Sequence, residues 1–386
     1  MQNMEQLRKF VSPEVVYGLE SLNLVKDYVQ NYESARVLIV TDEGIIKAGW
    51  CGKVADVLEK AGIEYIIFSS VTPNPRAEEV MSGAKVYSDN ECDSIVAIGG
   101  GSAMDCAKGI GIVISNGQHI KNFEGVDKVP VPMPPLICIP TTAGTASEVS
   151  QFSIIMDTQK KNKMAIISKA VIPDIALIDP QVLLTKPAYL TACTGMDALV
   201  HAMEAYVSNG SSEFTDLHAL YAIKLISNSL AKSVKDLSNL ELRYSMMIGS
   251  IQAGFAFSNA SLGAVHAMAH SLGGELDLPH GECNSLLLEH VVDYNYDYAE
   301  EKYKKIAEAM GINTGALTKN ECKNALISEI IKIKNEAGIT KTLSQIGVKP
   351  DMLKKLTENA LKDACIITNP RRPVFTDIEE VYEKAL

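Results

Sequence analysis

Residues 93–113 read DSIVAIGGGSAMDCAKGIGIV, and this stretch decides the fold. An uncharged run ends on three glycines at 99–101 and passes at once into a helical pattern from 104 to 113. A strand with no polar alternation is one covered on both faces. The same texture repeats outward in both directions. Residues 36–42 (RVLIVTD) form an earlier strand, followed by an amphipathic stretch through 61 that stops at Gly62. Residues 63–68 (IEYIIF) form another, after which Pro73, Pro75 and Arg76 open a helix running to about 88. LICIP at 136–140 and IALID at 175–179 are later strands. Strands spaced by helices predict an α/β domain with a parallel sheet.

After about Pro187 the strand signals vanish. Leu217, Leu220, Ile223, Leu225 and Ile226 follow a helical period, and helices are expected through 241–257, 297–310, 321–336 and 351–364, separated by Gly338, Gly347 and Pro350. The expected organisation is an α/β domain at 1–186 and an all-helical domain at 187–386. No repeat and no flexible linker intervenes, so the two should pack closely with a ligand cleft between them.

Composition narrows the class. The chain has 386 residues, 47% hydrophobic and 22% charged, which suits a globular protein and excludes a disordered one. Its formal charge of −11 argues against nucleic-acid or anionic-membrane partners. The most apolar stretch, 94–115, is broken by Asp105, Lys108 and five glycines, and does not make a membrane span. Eight cysteines are scattered with no CxxC pair, and MQNMEQLRKF has no apolar signal-peptide core. Both features lead to the expectation of a cytoplasmic protein.

The glycine turn follows a buried strand and opens a helix, the arrangement that cradles phosphate with free backbone N–H groups. A bare strand-to-helix turn would read the same. It lacks the G-x-G-x-x-G fingerprint and follows the third strand, so the sheet is Rossmann-like without the usual motif. Asp42, at the end of the first strand, could accept from a ribose diol and repel a 2′-phosphate; it could equally be a solvated turn residue. PTTAGTASEVS at 140–150 offers small hydroxyl donors with Glu148 as its one charge.

Six of the seven histidines lie between 201 and 290. Asp197 and His201 stand four apart in MDALVHAMEAYV, and His266 and His270 have the same spacing in SLGAVHAMAHSLGG, so each pair shares a helix face. His280 follows in LDLPHGEC, where a turn can point it back. One carboxylate with several imidazoles suits a divalent first-row ion. Spacing leaves open which three histidines ligate. His119, His218 and His290 stand apart and are read as structural or exposed.

With these motifs in order, GGGSAMDCAKGIGI, PTTAGTASEVS, ALIDP, TGMDALVHAMEAYVS and SLGAVHAMAHSLGGELDLPHGECNSLLLEHV, the chain resembles the iron-containing (group III) alcohol dehydrogenases, which share a fold with dehydroquinate synthase. The resemblance implies Asp197, His201, His266 and His280 as metal ligands, with Fe²⁺ (or Zn²⁺) bound. It sets His270 beside the metal, facing substrate and nicotinamide. Gly100, Gly101, Ser102 and Asp105 would bind the NAD pyrophosphate, with Thr141, Thr142 and Ser150 along the path to the nicotinamide. Lys163 would meet the nicotinamide ribose, Asn74 would lie near the adenosine, and Asp42 would favour NAD over NADP. Ser271 stands where many relatives carry proline, and Glu275, Asp277 and Cys283 lie near the metal without an assigned role.

The implied activity is metal-dependent hydride transfer between NAD and a small primary alcohol or diol, giving its aldehyde, in a homo-oligomer of two or more copies. Two alternatives share the fold. A dehydroquinate synthase-like lyase would want a glutamate ligand and basic residues for an anionic substrate. A non-catalytic metal or redox sensor would keep the ligands without turnover.

Overall fold

The computed structural model describes residues 8–160 and 162–386. In chain order the first half holds β1 (Glu14–Tyr17), α1 (Val25–Asn31), β2 (Arg36–Val40), α2 (Glu43–Lys47), α3 (Trp50–Lys60), β3 (Glu64–Phe68), α4 (Ala77–Asp89), β4 (Ser94–Gly99), α5 (Gly101–Asn116), β5 (Gly125–Val126), β6 (Leu136–Pro140), β7 (Phe152–Asp157), β8 (Asn162–Ile167) and β9 (Ile175–Ile178). Six strands form an all-parallel sheet in the order β1-β9-β6-β4-β2-β3. Side chains alternate across it. Val37, Ile39, Val96, Ile98, Ile137 and Ile139 face one side, where Val25 and Val29 of α1 and Val54 and Leu58 of α3 cover them. Leu38, Val40, Ile95, Ala97, Leu136 and Cys138 face the other, against α4 and α5. Each fully buried Val, Leu or Ile is worth about 1.5–3 kcal/mol, which is why β6 and β9 are apolar throughout and β2 and β4 are apolar beyond Arg36 and Ser94.

Three features depart from the sequence expectation. The amphipathic stretch after β2 is two helices, because Gly49 turns into the left-handed region (φ +86) between α2 and α3. β7 and β8 form an antiparallel hairpin, which joins β5 in a small second sheet. β1 adds an edge strand beside β9. The hairpin leaves little trace in the sequence because its apolar runs are short and polar residues follow Asp157.

The second half contains α6 (Ala188–Val207), α7 (Glu213–Lys235), α8 (Leu240–Ala260), α9 (Ala264–Leu276), α10 (His280–Asn295), α11 (Glu300–Ala309), α12 (Lys319–Glu336), α13 (Leu353–Ala360) and α14 (Phe375–Ala385), with no strand among the described residues. α6 is buried along almost its whole length between α7, α8 and α10. One apolar cluster runs unbroken from Val37 and Ile39 of the sheet through Met196 and Leu199 of α6 to Ile378 and Tyr382 of α14. Among the described residues no helix is long and apolar enough to cross a membrane.

Candidate active site

The candidate metal cluster is assembled by three helices. Asp197 and His201 stand one turn apart on α6, His266 on α9 and His280 at the first position of α10, after Pro279. His280 thus begins a helix; the chain reversal before it occurs at Asp277, in the left-handed region at φ +51. One donor atom from each of Asp197, His201, His266 and His280 lies within 4.8 Å of the others. Burial pushes the imidazole of His201 down to about 4 and that of His266 down to about 3, and His280 well below its usual value. Their nitrogens therefore keep free lone pairs at neutral pH, as metal ligation demands. One carboxylate and three neutral imidazoles, with no thiolate, fit a divalent first-row ion.

Two of the clustered histidines are oriented from behind. His266 Nδ1 meets Glu204 Oε2 at 2.6 Å, and the same carboxylate accepts from the backbone N–H of Val265 at 2.6 Å. Glu204 lies one turn beyond His201 on α6, and burial raises its carboxyl to about 7. His201 Nδ1 faces the carbonyl of Gly144 at 3.3 Å. The Glu204 contact at His266 Nδ1 would leave its Nε2, which lies 4.0 Å from Asp197 Oδ1, for an ion. Sequence reasoning missed both. Glu204 did carry a signal, since it follows His201 by three on the same helix. The Gly144 contact carried none, and it brings the 140–150 loop against the metal helix.

His270 lies one turn after His266 with a different partner. Its Nδ1 is 2.8 Å from Asp363 Oδ2, while Asp363 Oδ1 accepts from the backbone N–H of Cys365 at 2.8 Å. The neighbouring His270 and these hydrogen bonds outweigh burial, and hold the Asp363 carboxyl down at about 2. His270 stacks on His280 with ring centroids 5.1 Å apart, so it borders the cluster. Asp363, 93 positions away, was invisible to spacing.

On the sheet side, Gly99 ends β4 and α5 begins at Gly101 with Gly100 as a cap that makes no side-chain bond. The first N–H groups of α5 have no helical partner of their own. A Cβ on Gly100 would stand 2.9 Å from Thr142 Cγ2, and one on Gly101 2.8 Å from Thr145 Cγ2. The turn is thus a close-walled cradle, which fits a pyrophosphate. Asp42 caps α2, accepting from Ile45 N at 3.1 Å, and its carboxylate reaches the Gly99 turn. Thr141 is buried and donates its backbone N–H to Gly99 O; Thr142 is half-buried and walls the turn, and Ser102 sits half-buried in the first turn of α5.

Two expected cofactor residues take protein partners. Asp105 accepts from Ser147 Oγ at 2.6 Å and Ile154 N at 3.2 Å, tying α5 to β7. Ser150 is buried, and the buried Lys108 ammonium donates to its carbonyl at 2.9 Å and to that of Phe152 at 2.7 Å. Lys163 on β8 approaches Gly273 of α9, bridging the halves, and burial lowers its ammonium. Asn74, in the left-handed region at φ +57, donates to Asp277 Oδ1 at 2.9 Å, across the same gap. That bond gives Asp277 a place. Glu275 pairs with Lys355 at 2.6 Å, and Ser271 Oγ donates to Leu356 O at 2.9 Å. Cys283 is wholly buried, and burial raises its thiol to about 12, so it stays a protonated packing residue. His119 is exposed, His218 faces Gln252, and His290 lies beside Glu289.

Residues 12–180 match the family model for iron-containing alcohol dehydrogenase, and residues 191–386 match that for the C-terminal part of the Fe-containing alcohol dehydrogenase family. The chain is 40% identical to 1,3-propanediol dehydrogenase of Citrobacter freundii over 96% of both chains. It is 37% identical to the NAD-dependent methanol dehydrogenase of Bacillus methanolicus, over 98% of this chain and 99% of that one. A crystal structure of 1,3-propanediol oxidoreductase superposes with a TM-score of 0.96 at 39% identity, over 99% of this chain and 100% of that chain. None of these relatives is named a lyase or a sensor. A glycine cradle, a one-carboxylate, three-imidazole cluster and full-length likeness lead to one conclusion: this chain belongs to the iron-containing alcohol dehydrogenase family.

Proposed function

We propose that the chain interconverts a small primary alcohol or diol and its aldehyde, with hydride transfer to or from NAD. The observation that carries this reading is the adjacency of the Asp197–His201–His266–His280 cluster to the His270–Asp363 pair and, through Gly144, to the loop beside the glycine turn. When bound, a divalent ion supplies Lewis acidity toward the substrate oxygen and NAD supplies the hydride acceptor. Asp197, His201, His266 and His280 would hold the ion. The backbone at Gly100, Gly101 and Ser102 would hold the pyrophosphate, Lys163 the nicotinamide ribose, and Asp42 the adenosine ribose diol. Thr141 and Thr142 support the turn.

His270 moves the proton. Asp363 fixes its Nδ1, so Nε2 is the atom that exchanges a proton with substrate or ribose hydroxyls. The division of labour follows the fold: residues 1–186 bind the dinucleotide and 187–386 the metal and substrate. All eight cysteines are free and buried, in keeping with a cytoplasmic setting. β1 lies at the sheet edge, where a second copy could pair, in keeping with a dimer or larger assembly.

Steady-state NADH formation with a panel of small primary alcohols and diols tests the reading. Turnover that needs the divalent ion is expected. A metal-loaded chain that binds NAD and oxidises none of them overturns it.

A further inference from the structure

Asn284 enters the donor cluster and has no part in the account above. It follows His280 by one turn on α10, so both side chains leave the same helix face. Gly281, between them, lets that face close on α6, since a Cβ there would collide with the carbonyl of Cys193. Asn284 Nδ2 then donates to Asp197 Oδ1 at 2.6 Å and lies 3.2 Å from both His266 Nε2 and His280 Nε2. The residue is wholly buried, and among the described residues it is the one hydrogen-bond donor to the Asp197 carboxylate. A carboxylate oxygen only accepts, so the amide atom 2.6 Å from Asp197 Oδ1 is the NH₂ group rather than the carbonyl.

We propose that Asn284 is a positioning residue of the metal centre, whose N–H group fixes the rotation of the Asp197 carboxylate and so sets the affinity of the site. Asp197 is the one anionic group among the four donors, and without a partner its carboxylate is free to turn about its own axis. A neutral amide steers it without adding a charge that would oppose it. Outer partners of metal ligands are typically worth about 10–100-fold in affinity. The inference rests on the metal reading proposed above.

The test is Co²⁺ affinity, read by competition with a chromophoric chelator, together with the visible absorption of bound Co²⁺, on the parent, Asn284→Ala and Asn284→Asp. Circular dichroism checks that each variant is folded. Asn284→Asp keeps the shape but replaces the donor with an anion facing Asp197. Both variants should lose about 10–100-fold in affinity and show an altered absorption band. Affinity in Asn284→Asp equal to or above that of the parent overturns the proposal, because the amide would then serve as an oxygen ligand or only as filler. Should Asn284→Asp fail to fold, Asn284→Ala decides alone, and affinity within about threefold of the parent overturns the proposal. A parent chain that takes up no Co²⁺ overturns the metal reading and this one together; loss of the proposal alone leaves parental uptake intact.

Discussion

At the head of α5 the proposed binding groups are backbone N–H groups, and side chains matter mainly for the room they leave around Gly100 and Gly101. In the candidate metal cluster on α6, α9 and α10 the proposed binding groups are side chains, and two of its imidazoles are held by a group behind them, Glu204 or the Gly144 carbonyl. The first kind of site is damaged by adding atoms, the second by removing them. The two regions should therefore fail in opposite ways.

The largest effects belong to the helical side, and they separate two histidines that spacing makes look alike. His266→Ala removes a ligand, so bound metal and activity should both disappear. His270→Ala should keep its metal and lose about 10²–10⁴ in kcat, the range of general acid–base catalysis. Metal content and kcat on the same preparations decide it. Metal lost from His270→Ala and kept in His266→Ala would reverse the two roles.

On the sheet side, Gly101→Ala pushes a methyl group into Thr145. Overpacking of this kind costs about 1–3 kcal/mol, so if the strain falls on the cradle KM for NAD should rise about 5–150-fold with metal content unchanged. Partial recovery on adding Thr145→Ser, which removes the offending Cγ2, would tie the loss to crowding. A KM unchanged in the single variant would show that the cradle has slack.

A smaller effect is expected at Asp42. A carboxylate near a 2′-phosphate should favour NAD by about tenfold or more in kcat/KM, since about 1.4 kcal/mol is a factor of ten. Asp42→Asn removes the charge and keeps an acceptor for Ile45 N, so cofactor preference should narrow while Tm holds. Equal use of NAD and NADP by the parent would sink the assignment.

The remaining effect is on stability and leaves both binding regions intact. Burial raises the Glu148 carboxyl from 4.5 to about 7. Between those values the folded chain holds a proton that the unfolded chain releases. Its contribution is therefore complete below about pH 4.5 and is lost as pH rises through 7. Glu148→Gln should match the parent near pH 4.5 and exceed it by about 3 kcal/mol at pH 8. A stability difference independent of pH would show that Glu148 is ionised in the fold.

Legibility in the sequence followed the range of the interactions. β2, β4, β6 and β9 are runs whose burial shows in their own composition, and the i,i+4 pairs on α6 and α9 are local geometry. The glycine turn was visible because strand, turn and helix are consecutive. What escaped were the partners that arrive by packing: Asp363 behind His270, Gly144 behind His201, and Asn74 on Asp277. No periodicity marks a residue for a contact 57, 93 or 203 positions away. The inward turn of Ser150 escaped for the same reason, since the buried Lys108 that holds its carbonyl lies on another element.

The apolar cluster that runs from Val37 to Tyr382 has a thermodynamic consequence. Two halves that share a core have no separate melting points, because neither keeps its buried surface once the other opens. Unfolding should be a single cooperative event, and whatever binds the helices is linked to the strands. An ion held by α6, α9 and α10 should slow hydrogen exchange in β2 and β4, strands to which it contributes no ligand.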